Sequence, residues 1–241
     1  MLEARGISLA GRLAGVSALL RAGEVTAICG PNGAGKSTLL QCLAGLLLPE
    51  GGAAMLDGAN LASLEPRTRA RAIGYLPQEG EIAWDLSVQN LVALGRLPYR
   101  DRGEAQVNAA IEALDLETLS TRPVSTLSGG EKARALLARV LAGEPRWLLA
   151  DEPLAALDLG HQLDLVGRLR EVARSGAGVV LVLHDLSLAM NHADRVLVLD
   201  KGGLVADAAP EVALDSELIE QVWGVPARWL GERGARALVA G

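Results

Sequence analysis

Short apolar runs recur along this chain of 241 residues, and stretches with helical spacing separate them. A short run that is apolar throughout is typical of a strand buried on both faces, and helical stretches between such strands indicate parallel pairing. The pattern therefore predicts a mostly parallel sheet covered by helices. Its strands are predicted at VTAICG (25–30), AIGYLPQ (72–78), RWLLADEP (146–153) and GVVLVLHD (178–185).

A fifth apolar run, RVLVLDKGG (195–203), ends in a glycine pair, which favours a hairpin turn into GLVADAA (203–209). Residues 81–126 contain no strand pattern of comparable strength, and their spacing predicts helices, most clearly over 101–116. The tail over 210–225 is predicted to be helical, with starts near Pro210 and Asp215. We therefore expect an all-helical insert within a sheet-based core.

Composition limits the partners of the chain. The formal net charge is −6, aromatic residues make up 2% of the chain and Phe is absent, so we expect no nucleic-acid partner. The mean hydropathy is +0.25, yet no run approaches the ~18 apolar residues of a membrane span, and MLEARGISLAG lacks the layout of a secretion signal. The chain is expected in the cytoplasm, reaching a membrane only through a partner. Cys29 and Cys42 are expected to be buried free thiols rather than metal ligands.

The stretch GPNGAGKST (30–38) matches the phosphate-binding pattern G-x-x-x-x-G-K-[ST] and lies between a predicted strand and a predicted helix. Its glycines allow backbone N–H groups to surround nucleotide phosphates. Lys36 can then reach the β- and γ-phosphates, and Ser37 can offer its hydroxyl to Mg²⁺. A chance match is the alternative, and the flanking elements argue against it.

Two carboxylates, Asp151 and Glu152, follow the apolar run WLLA. They lie at the carboxyl end of a predicted strand, where α/β sheets bind ligands. Because successive strand side chains point in opposite directions, the two acids are expected to have different roles. We assign Asp151 to Mg²⁺ and Glu152 to orienting or deprotonating the attacking water. A solvated acidic turn is the alternative.

Gln78 and His184 end two other predicted strands of the same sheet, at the edge where the phosphate loop is expected. An amide at this edge can sense Mg²⁺ and water, and an imidazole can hydrogen-bond the γ-phosphate. A lone His after a strand is also commonly a structural residue, and that alternative stays open.

A second candidate anion site opens TLSGGEKARALLARVLAG (126–143), where a Ser-Gly-Gly turn leads into a predicted helix. Exposed N–H groups and the positive end of the helix dipole favour an anion at such a turn. The chain thus contains two phosphate-binding turns that lie far apart in sequence.

The motifs GPNGAGKST, YLPQ, LSGGE, LLADEPLAALD and VLHD occur in the order of the ATP-binding-cassette (ABC) ATPases, which the chain resembles over nearly its whole length. LSGGE is specific, because other P-loop classes lack it. The resemblance implies an α/β P-loop NTPase fold with a mostly parallel central sheet, an N-terminal antiparallel β portion and an all-helical insert subdomain. It implies one ABC ATPase domain over 1–241, with residues 1–80 and 144–241 as the core and residues 81–143 as the helical subdomain that ends in the signature helix.

The same resemblance implies a set of site residues. ATP is expected on the phosphate loop and on the signature turn, which comprise Gly30, Pro31, Asn32, Gly33, Ala34, Gly35, Lys36, Ser37, Thr38, Ser128, Gly129, Gly130 and Glu131. The cofactor Mg²⁺ is expected on Ser37, Gln78 and Asp151. Catalytic roles are expected for Lys36, Gln78, Glu152, Asp158 and His184.

In that family, the signature turn of one subunit closes over ATP held by the phosphate loop of another, which explains why one chain carries two such turns. The resemblance therefore implies a head-to-tail homodimer with two transmembrane permease subunits, and indirectly a substrate-binding protein, at the cytoplasmic face of the bacterial inner membrane. GRLPY (95–99), DLGHQLDLV and SELIEQVWGV further resemble the ATPase subunits of importers for ferric siderophores, vitamin B12 and haem.

Two departures from the family pattern stand out. Leu154 occupies a position where Thr is frequent, and an apolar replacement there is expected to be tolerated. Cassettes usually present an N-terminal aromatic on which adenine stacks, but no aromatic residue precedes Tyr75. Arg12, with its flat guanidinium, is a candidate substitute, and the hypothesis that follows is weak discrimination between ATP and GTP.

Two other classes of protein are alternatives to a transport ATPase. Non-transport ABC ATPases of DNA repair or translation usually carry two cassettes or a long coiled-coil insert, and this sequence has one phosphate loop and no sustained heptads. A P-loop kinase or GTPase would not explain LSGGE, and the guanine-reading NKxD motif is absent.

Overall fold

A computed structural model of the chain describes residues 1–78, 85–155 and 157–241. The strands are β1 (Leu2–Leu9), β2 (Leu13–Leu20), β3 (Val25–Cys29), β4 (Gly51–Leu56), β5 (Ala59–Asn60), β6 (Ile73–Leu76), β7 (Trp147–Asp151), β8 (Gly178–Val182), β9 (Arg195–Asp200), β10 (Gly203–Ala208), β11 (Ala227–Leu230) and β12 (Ala237–Ala240). The α-helices are α1 (Lys36–Leu43), α2 (Pro66–Ala72), α3 (Val88–Ala93), α4 (Glu104–Glu112), α5 (Gly129–Leu141), α6 (Leu159–Arg174), α7 (Leu186–His192), α8 (Pro210–Ala213) and α9 (Ser216–Trp223), and a 3₁₀ segment covers Leu94–Tyr99.

The central sheet has six strands in the order β10-β9-β3-β8-β7-β6. Five of them run parallel, and β10 pairs antiparallel with β9 through the turn at the glycine pair. All residues of β3, β7 and β8 are buried, as their uninterrupted apolar sequence predicts. The predicted parallel sheet and its terminal hairpin are thus confirmed.

Alternation along β8 separates the core into two apolar clusters, one on each face of the sheet. Val179 and Leu181 pack with helices α5, α6 and α7, whereas Val180 and Val182 pack with α1 and the first strands of the chain. Because successive strand side chains point to opposite faces, a short apolar strand can serve both clusters.

A second, antiparallel sheet in the order β2-β1-β4-β5 is formed by the first strands of the chain. It is the antiparallel β portion that the resemblance implied, and the α/β P-loop NTPase fold is confirmed. The local pattern did not mark these strands individually, because glycines and small residues interrupt them: β2 reads LAGVSALL and buries its residues irregularly.

The regular elements between residues 85 and 143, all of which the structure describes, are helices, and one β-bridge pairs Ser87 with Pro123. The predicted start of the helical insert, residues 81–84, lies outside the described residues, and the division into a core and a helical subdomain stays a prediction. Helix α4 is shorter than its predicted span, since left-handed residues bound it at Gly103 and Asp115.

The tail differs from a continuous helix. It forms α8 and α9, which are separated at Leu214, and the side chain of Asp215 caps α9 by accepting from the backbone N–H of Leu218 at 2.7 Å. The hairpin of β11 and β12 follows and was not predicted. Its Trp229 donates from Nε1 to the carbonyl of Leu214 at 2.7 Å, which ties the hairpin to the break between the two helices.

Candidate nucleotide site

A cleft of about 490 Å³ opens at the carboxyl ends of the parallel strands. Its described lining consists of Gly11, Arg12, Asn32, Gly33, Gly35, Lys36, Ser37, Thr38, Glu152 and His184. The lining combines the predicted phosphate loop with two residues predicted at other strand ends. Sheet order explains the combination, because β3, β8 and β7 are neighbours and all point their carboxyl ends the same way.

The phosphate loop connects β3 to α1. Among the described residues, no side chain caps the backbone N–H groups at the start of α1. Gly35 adopts φ +98° as the N-cap of α1. A Cβ at Gly35 would lie 2.6 Å from the carbonyl oxygen of Arg12, so glycine is needed for both its conformation and its small size. The uncapped N–H groups at this helix start suit the oxygens of a phosphate.

Lys36 lies almost fully buried beneath this loop. Its Nζ donates to the carbonyl oxygens of Gly30 at 2.8 Å and Pro31 at 3.0 Å. Burial lowers the pKa of Lys36, while the nearby carboxylates of Glu152 and Asp151 act in the opposite direction. A phosphate bound in the loop would add a negative charge that further stabilises this ammonium group.

Asp151, the last residue of β7, is buried and accepts a hydrogen bond from the Ser37 hydroxyl at 2.9 Å. The Tyr75 hydroxyl lies 3.5 Å from its other carboxylate oxygen. Burial raises the pKa of Asp151, and the charge of Glu152 adds to the effect. A buried carboxylate beside a hydroxyl is a hard oxygen donor set, which fits Mg²⁺ bound jointly by the protein and nucleotide phosphates.

No group of three or more His, Cys, Asp or Glu side chains is arranged for a metal ion within the described residues. Mg²⁺ is commonly bound through one or two carboxylates, with phosphates and water as its other ligands. The predicted roles of Ser37 and Asp151 fit that chemistry. The role of Gln78 as a metal ligand stays a prediction, because its side chain contacts Glu152.

Glu152 joins the side chains of two other strand ends. The Gln78 amide donates from Nε2 to Glu152 Oε2 at 2.6 Å, and His184 Nε2 lies 2.5 Å from Glu152 Oε1. Glu152 itself has φ +49°, an uncommon backbone conformation for a non-glycine residue. Three predicted catalytic residues thus meet at the mouth of the cleft, and their catalytic roles stay predictions.

The signature turn is elsewhere on the molecule and does not belong to the described lining of the cleft. Ser128 caps α5: its hydroxyl accepts from the N–H of Glu131 at 3.3 Å, and the Glu131 carboxylate accepts from the N–H of Ser128 at 2.8 Å. The hydrogen bond from the Ser128 N–H to the carboxylate is the main cause that lowers the pKa of Glu131.

Asp158 also lies outside this lining. It is the N-cap of α6 and accepts from the backbone N–H of His161 at 3.0 Å, and this hydrogen bond lowers its pKa. Its predicted catalytic role is therefore not supported by a contact with the cleft of its own chain and stays a prediction. The same holds for the ATP-binding roles of Ser128, Gly129, Gly130 and Glu131.

Sequence reasoning missed two neighbours of these residues. Tyr75 approaches Asp151. It lies on β6, three residues before Gln78, and this position could have marked it as a neighbour of the site. His161 contacts Asp158, and its place in the first turn after an N-cap aspartate could have marked it. Arg12, proposed from the missing aromatic residue, does line the cleft.

Comparison with known proteins decides the family. A family model described as ABC transporter matches residues 13–155. The hemin import ATP-binding protein HmuV of Nocardia farcinica (strain IFM 10152) is 46% identical over 210 residues, covering 85% of this chain and 73% of that protein. The chain belongs to the ABC transporter family.

Solved structures agree with this assignment. An inward-facing conformation of a putative metal-chelate type ABC transporter superposes with a TM-score of 0.85 at 25% identity, over 99% of this chain and 96% of that one. The dimeric ATP-binding cassette MJ0796, bound to ADP and Pi, superposes with a TM-score of 0.76 at 25% identity, over 87% and 99%. This ABC protein binds ATP and is an ATPase whose hydrolysis is coupled to transport. Over its described residues, no helix is both long and apolar enough to cross a bilayer.

Proposed function

We propose that this ABC ATPase drives the import of hemin through a separate membrane permease. The support is its similarity to a hemin import ATP-binding protein over most of both chains, together with the structural similarity to a metal-chelate type transporter. Ferric siderophores and vitamin B12, which the sequence resemblance also allows, are the competing cargoes. The chain works as a homodimer on two permease subunits at the cytoplasmic face of the bacterial inner membrane and meets a substrate-binding protein only indirectly.

The observation that carries the ATPase chemistry is the pair of contacts on Glu152. Gln78 and His184 hold both of its carboxylate oxygens at the mouth of the cleft that contains Lys36. Glu152 orients a water molecule and accepts its proton as the water oxygen attacks the γ-phosphorus. The bond between that phosphorus and the β–γ bridging oxygen breaks, which leaves ADP and inorganic phosphate.

The other residues of the cleft bind and position the nucleotide. The phosphate loop donates backbone hydrogen bonds to the phosphates, and Lys36 balances their charge. Ser37, Asp151 and Gln78 would hold Mg²⁺, which neutralises phosphate charge when it is bound. His184 orients Glu152 and lines the cleft, where its imidazole can hydrogen-bond the γ-phosphate.

Dimerisation supplies the second half of each site. The signature turn lies outside the cleft of its own chain, so we infer that it closes over ATP held by a second copy, with Asp158 at the same interface. The dimer of the cassette MJ0796 supports this arrangement. ATP binding closes the two copies, and hydrolysis separates them.

Leu97, an exposed residue of the 3₁₀ segment, is a candidate contact for the permease. Arg96 is buried, forms an ion pair with Asp101 at 2.8 Å and stacks on the Tyr99 ring, whose hydroxyl donates to the carbonyl of Gly143 at 2.9 Å. This anchoring leaves Leu97 on the surface with 68% of its area exposed. The anchored segment thus presents an apolar side chain that a permease loop can cover.

The Glu152→Gln variant tests the chemistry and the dimer together. We expect it to retain ATP binding, to lose at least about 100-fold in hydrolysis rate because the amide cannot accept the water proton, and to accumulate as a dimer with ATP and Mg²⁺. Sedimentation and nucleotide-binding measurements check both points. A variant that stays monomeric in excess ATP and Mg²⁺ would contradict the sandwich.

Reconstitution of this chain with a candidate permease and its substrate-binding protein tests the cargo. Uptake and ATPase stimulation are compared for hemin, a ferric siderophore and cobalamin in proteoliposomes, with the Glu152→Gln protein as the inactive control. We expect hemin, but neither of the other two compounds, to be taken up and to stimulate the ATPase rate. Stimulation by a siderophore or by cobalamin would reassign the cargo, and no stimulation by any of them would contradict import of these chelates.

A further inference from the structure

His161, in the first turn of α6, lies between two turns of the same chain. Its Nδ1 lies 2.8 Å from Asp158 Oδ1, and its ring lies against Gly130 of the signature turn. A Cβ built on Gly130 would come within 3.0 Å of the ring atom Cδ2, and the three nearest atoms to that Cβ all belong to His161. The ring therefore connects the N-termini of α5 and α6.

We propose that His161 is a positioning residue that holds the signature turn in register with Asp158, and thereby sets how readily two copies of the chain close around ATP. The proposal rests on the proposed dimer, in which both turns belong to one interface. It assigns to His161 a role in closure rather than in the chemistry of hydrolysis, because the residue is outside the described lining of the nucleotide cleft.

The geometry at Gly130 supports this role for the ring. Gly130 is the second residue of α5 and is not among the residues with positive φ, so its backbone conformation is open to any L residue. Within its own chain, the space where a side chain would begin is limited by the imidazole ring of His161. The ring is thus a close neighbour of the turn, and it limits the space for a side chain at residue 130.

Helix α6 also contacts the helical segment 85–143 at a second point. Arg168 donates to the carbonyl of Ala113 and forms an ion pair with Asp115, just after α4. With His161 in its first turn and Arg168 about two turns later, α6 contacts the segment at two separated places. Two separated contacts define an orientation, whereas one contact leaves a rotation free, so loss of the His161 ring is expected to loosen the signature turn.

The variants can be made without losing the start of α6. Asp158 caps this helix through the backbone N–H of residue 161, a hydrogen bond that does not depend on the side chain. His161→Ala removes both side-chain contacts, His161→Phe keeps a ring against Gly130 without Nδ1, and His161→Asn keeps a polar atom near Asp158 without the ring. Arg174→Ala is the matched control, an exposed residue in the last turn of the same helix.

The first experiment measures ATP-dependent dimer formation in the Glu152→Gln background, together with KM and kcat in the otherwise unchanged protein. We expect His161→Ala to raise the ATP concentration for half-maximal dimer formation and KM by about tenfold, with kcat at saturating ATP changed less than twofold. We expect partial recovery in the Phe variant and no change in Arg174→Ala. A KM for His161→Ala equal to that of the control overturns the proposal.

The second experiment tests the contact itself through a double-mutant cycle. Gly130→Ala should be less favourable for the stability of the monomer when His161 is present than when it is combined with His161→Ala, because the tight approach of the added Cβ to the ring is then absent. An equal effect in both backgrounds overturns the contact. If the Glu152→Gln protein forms no dimer while the cycle shows coupling, the failure lies in the proposed sandwich, and the closure role of His161 falls with it.

Discussion

The phosphate loop and the signature turn are both helix starts that suit an anion, yet their surroundings differ. The phosphate loop is enclosed: its lysine is buried, and Ser37 contacts Asp151. The signature turn has no such enclosure, because its serine and first glycine are exposed and the turn caps itself through Ser128 and Glu131. The phosphate loop contacts side chains from distant strands of its own chain, such as Asp151. The signature turn is exposed on the surface.

This difference suggests separate roles for the two turns of one chain, nucleotide binding for the phosphate loop and association with a second copy for the signature turn. A buried charge such as Lys36 is stabilised when a ligand supplies the opposite charge, so we expect the phosphate loop to bind nucleotide without a second copy of the chain. An exposed, self-capped turn already satisfies part of its backbone groups and has no cationic side chain of its own among residues 128–131. We therefore expect changes in the phosphate loop to abolish nucleotide binding and changes in the signature turn to affect association.

The largest effect is expected for Lys36→Ala compared with Ser128→Ala. Removal of the lysine should weaken ATP binding by the monomer at least about 100-fold, because the phosphate charge loses its buried partner. Ser128→Ala should leave binding by the monomer within about twofold and lower the ATPase rate. Calorimetric titration of ATP into both proteins checks the comparison, and equal losses of binding would contradict the division of roles.

A backbone change at Gly35 should affect folding stability. Gly35→Ala places a Cβ 2.6 Å from the Arg12 carbonyl at a left-handed position, and we expect it to lower the free energy of unfolding by roughly 2–4 kcal/mol. Gly167→Ala in α6 is the matched control, since no atom lies within 4 Å of its Cβ position. The control should be neutral or stabilising by about 1 kcal/mol in urea unfolding. A Gly35→Ala protein as stable as this control would show that the loop tolerates a side chain.

Arg12 provides a smaller test of the enclosed site. If its guanidinium replaces the missing aromatic, Arg12→Ala should raise KM for ATP about tenfold, because stacking of a base contributes about 1–3 kcal/mol. GTP should be hydrolysed nearly as well as ATP before and after the change, since a flat cation stacks on either purine. A strong preference for ATP that survives Arg12→Ala refutes this role.

The smallest effect concerns pH and the signature turn. The hydrogen bond from the Ser128 N–H lowers the pKa of Glu131 in the folded protein, so its contribution to stability is present above the unfolded pKa and is lost as the pH falls through the folded pKa. Among the described residues, no side chain caps the start of α1, so no capping carboxylate there can make stability depend on pH. Glu131→Gln should therefore flatten the acid side of the stability profile below about pH 4.5. Unfolding midpoints measured against pH check it, and parallel profiles for the two proteins would count against it.

Prediction from the sequence succeeded where one short stretch contains the whole signal. The apolar runs before Gly30 and Asp151 specify buried strands, and the glycines between Gly30 and Lys36 specify a phosphate loop. Prediction failed where the signal is diluted or depends on a remote partner. Interrupted strands such as β2 carry no clear alternation, and Trp229 belongs to a hairpin that depends on a carbonyl in the preceding helical tail.

The candidate site shows the same limit. Roles for Gln78, Glu152 and His184 could be predicted from their places at strand ends and stay predictions, but their hydrogen bonds could not be predicted. Those contacts depend on the order of β3, β8, β7 and β6 in the sheet, which brings residues 32 and 74 positions apart to the same carboxylate.

The sequence alone determined the class of fold, the phosphate loop and the carboxylates that follow β7, because backbone geometry and local hydrogen bonding act over a few residues. Only the tertiary structure decided that Arg12 lines the nucleotide cleft, that the signature turn does not, and that His161 lies between Gly130 and Asp158. These relations follow from the packing of helices and strands that are distant in sequence. The energy of such packing is a sum over many apolar contacts, which no single motif encodes.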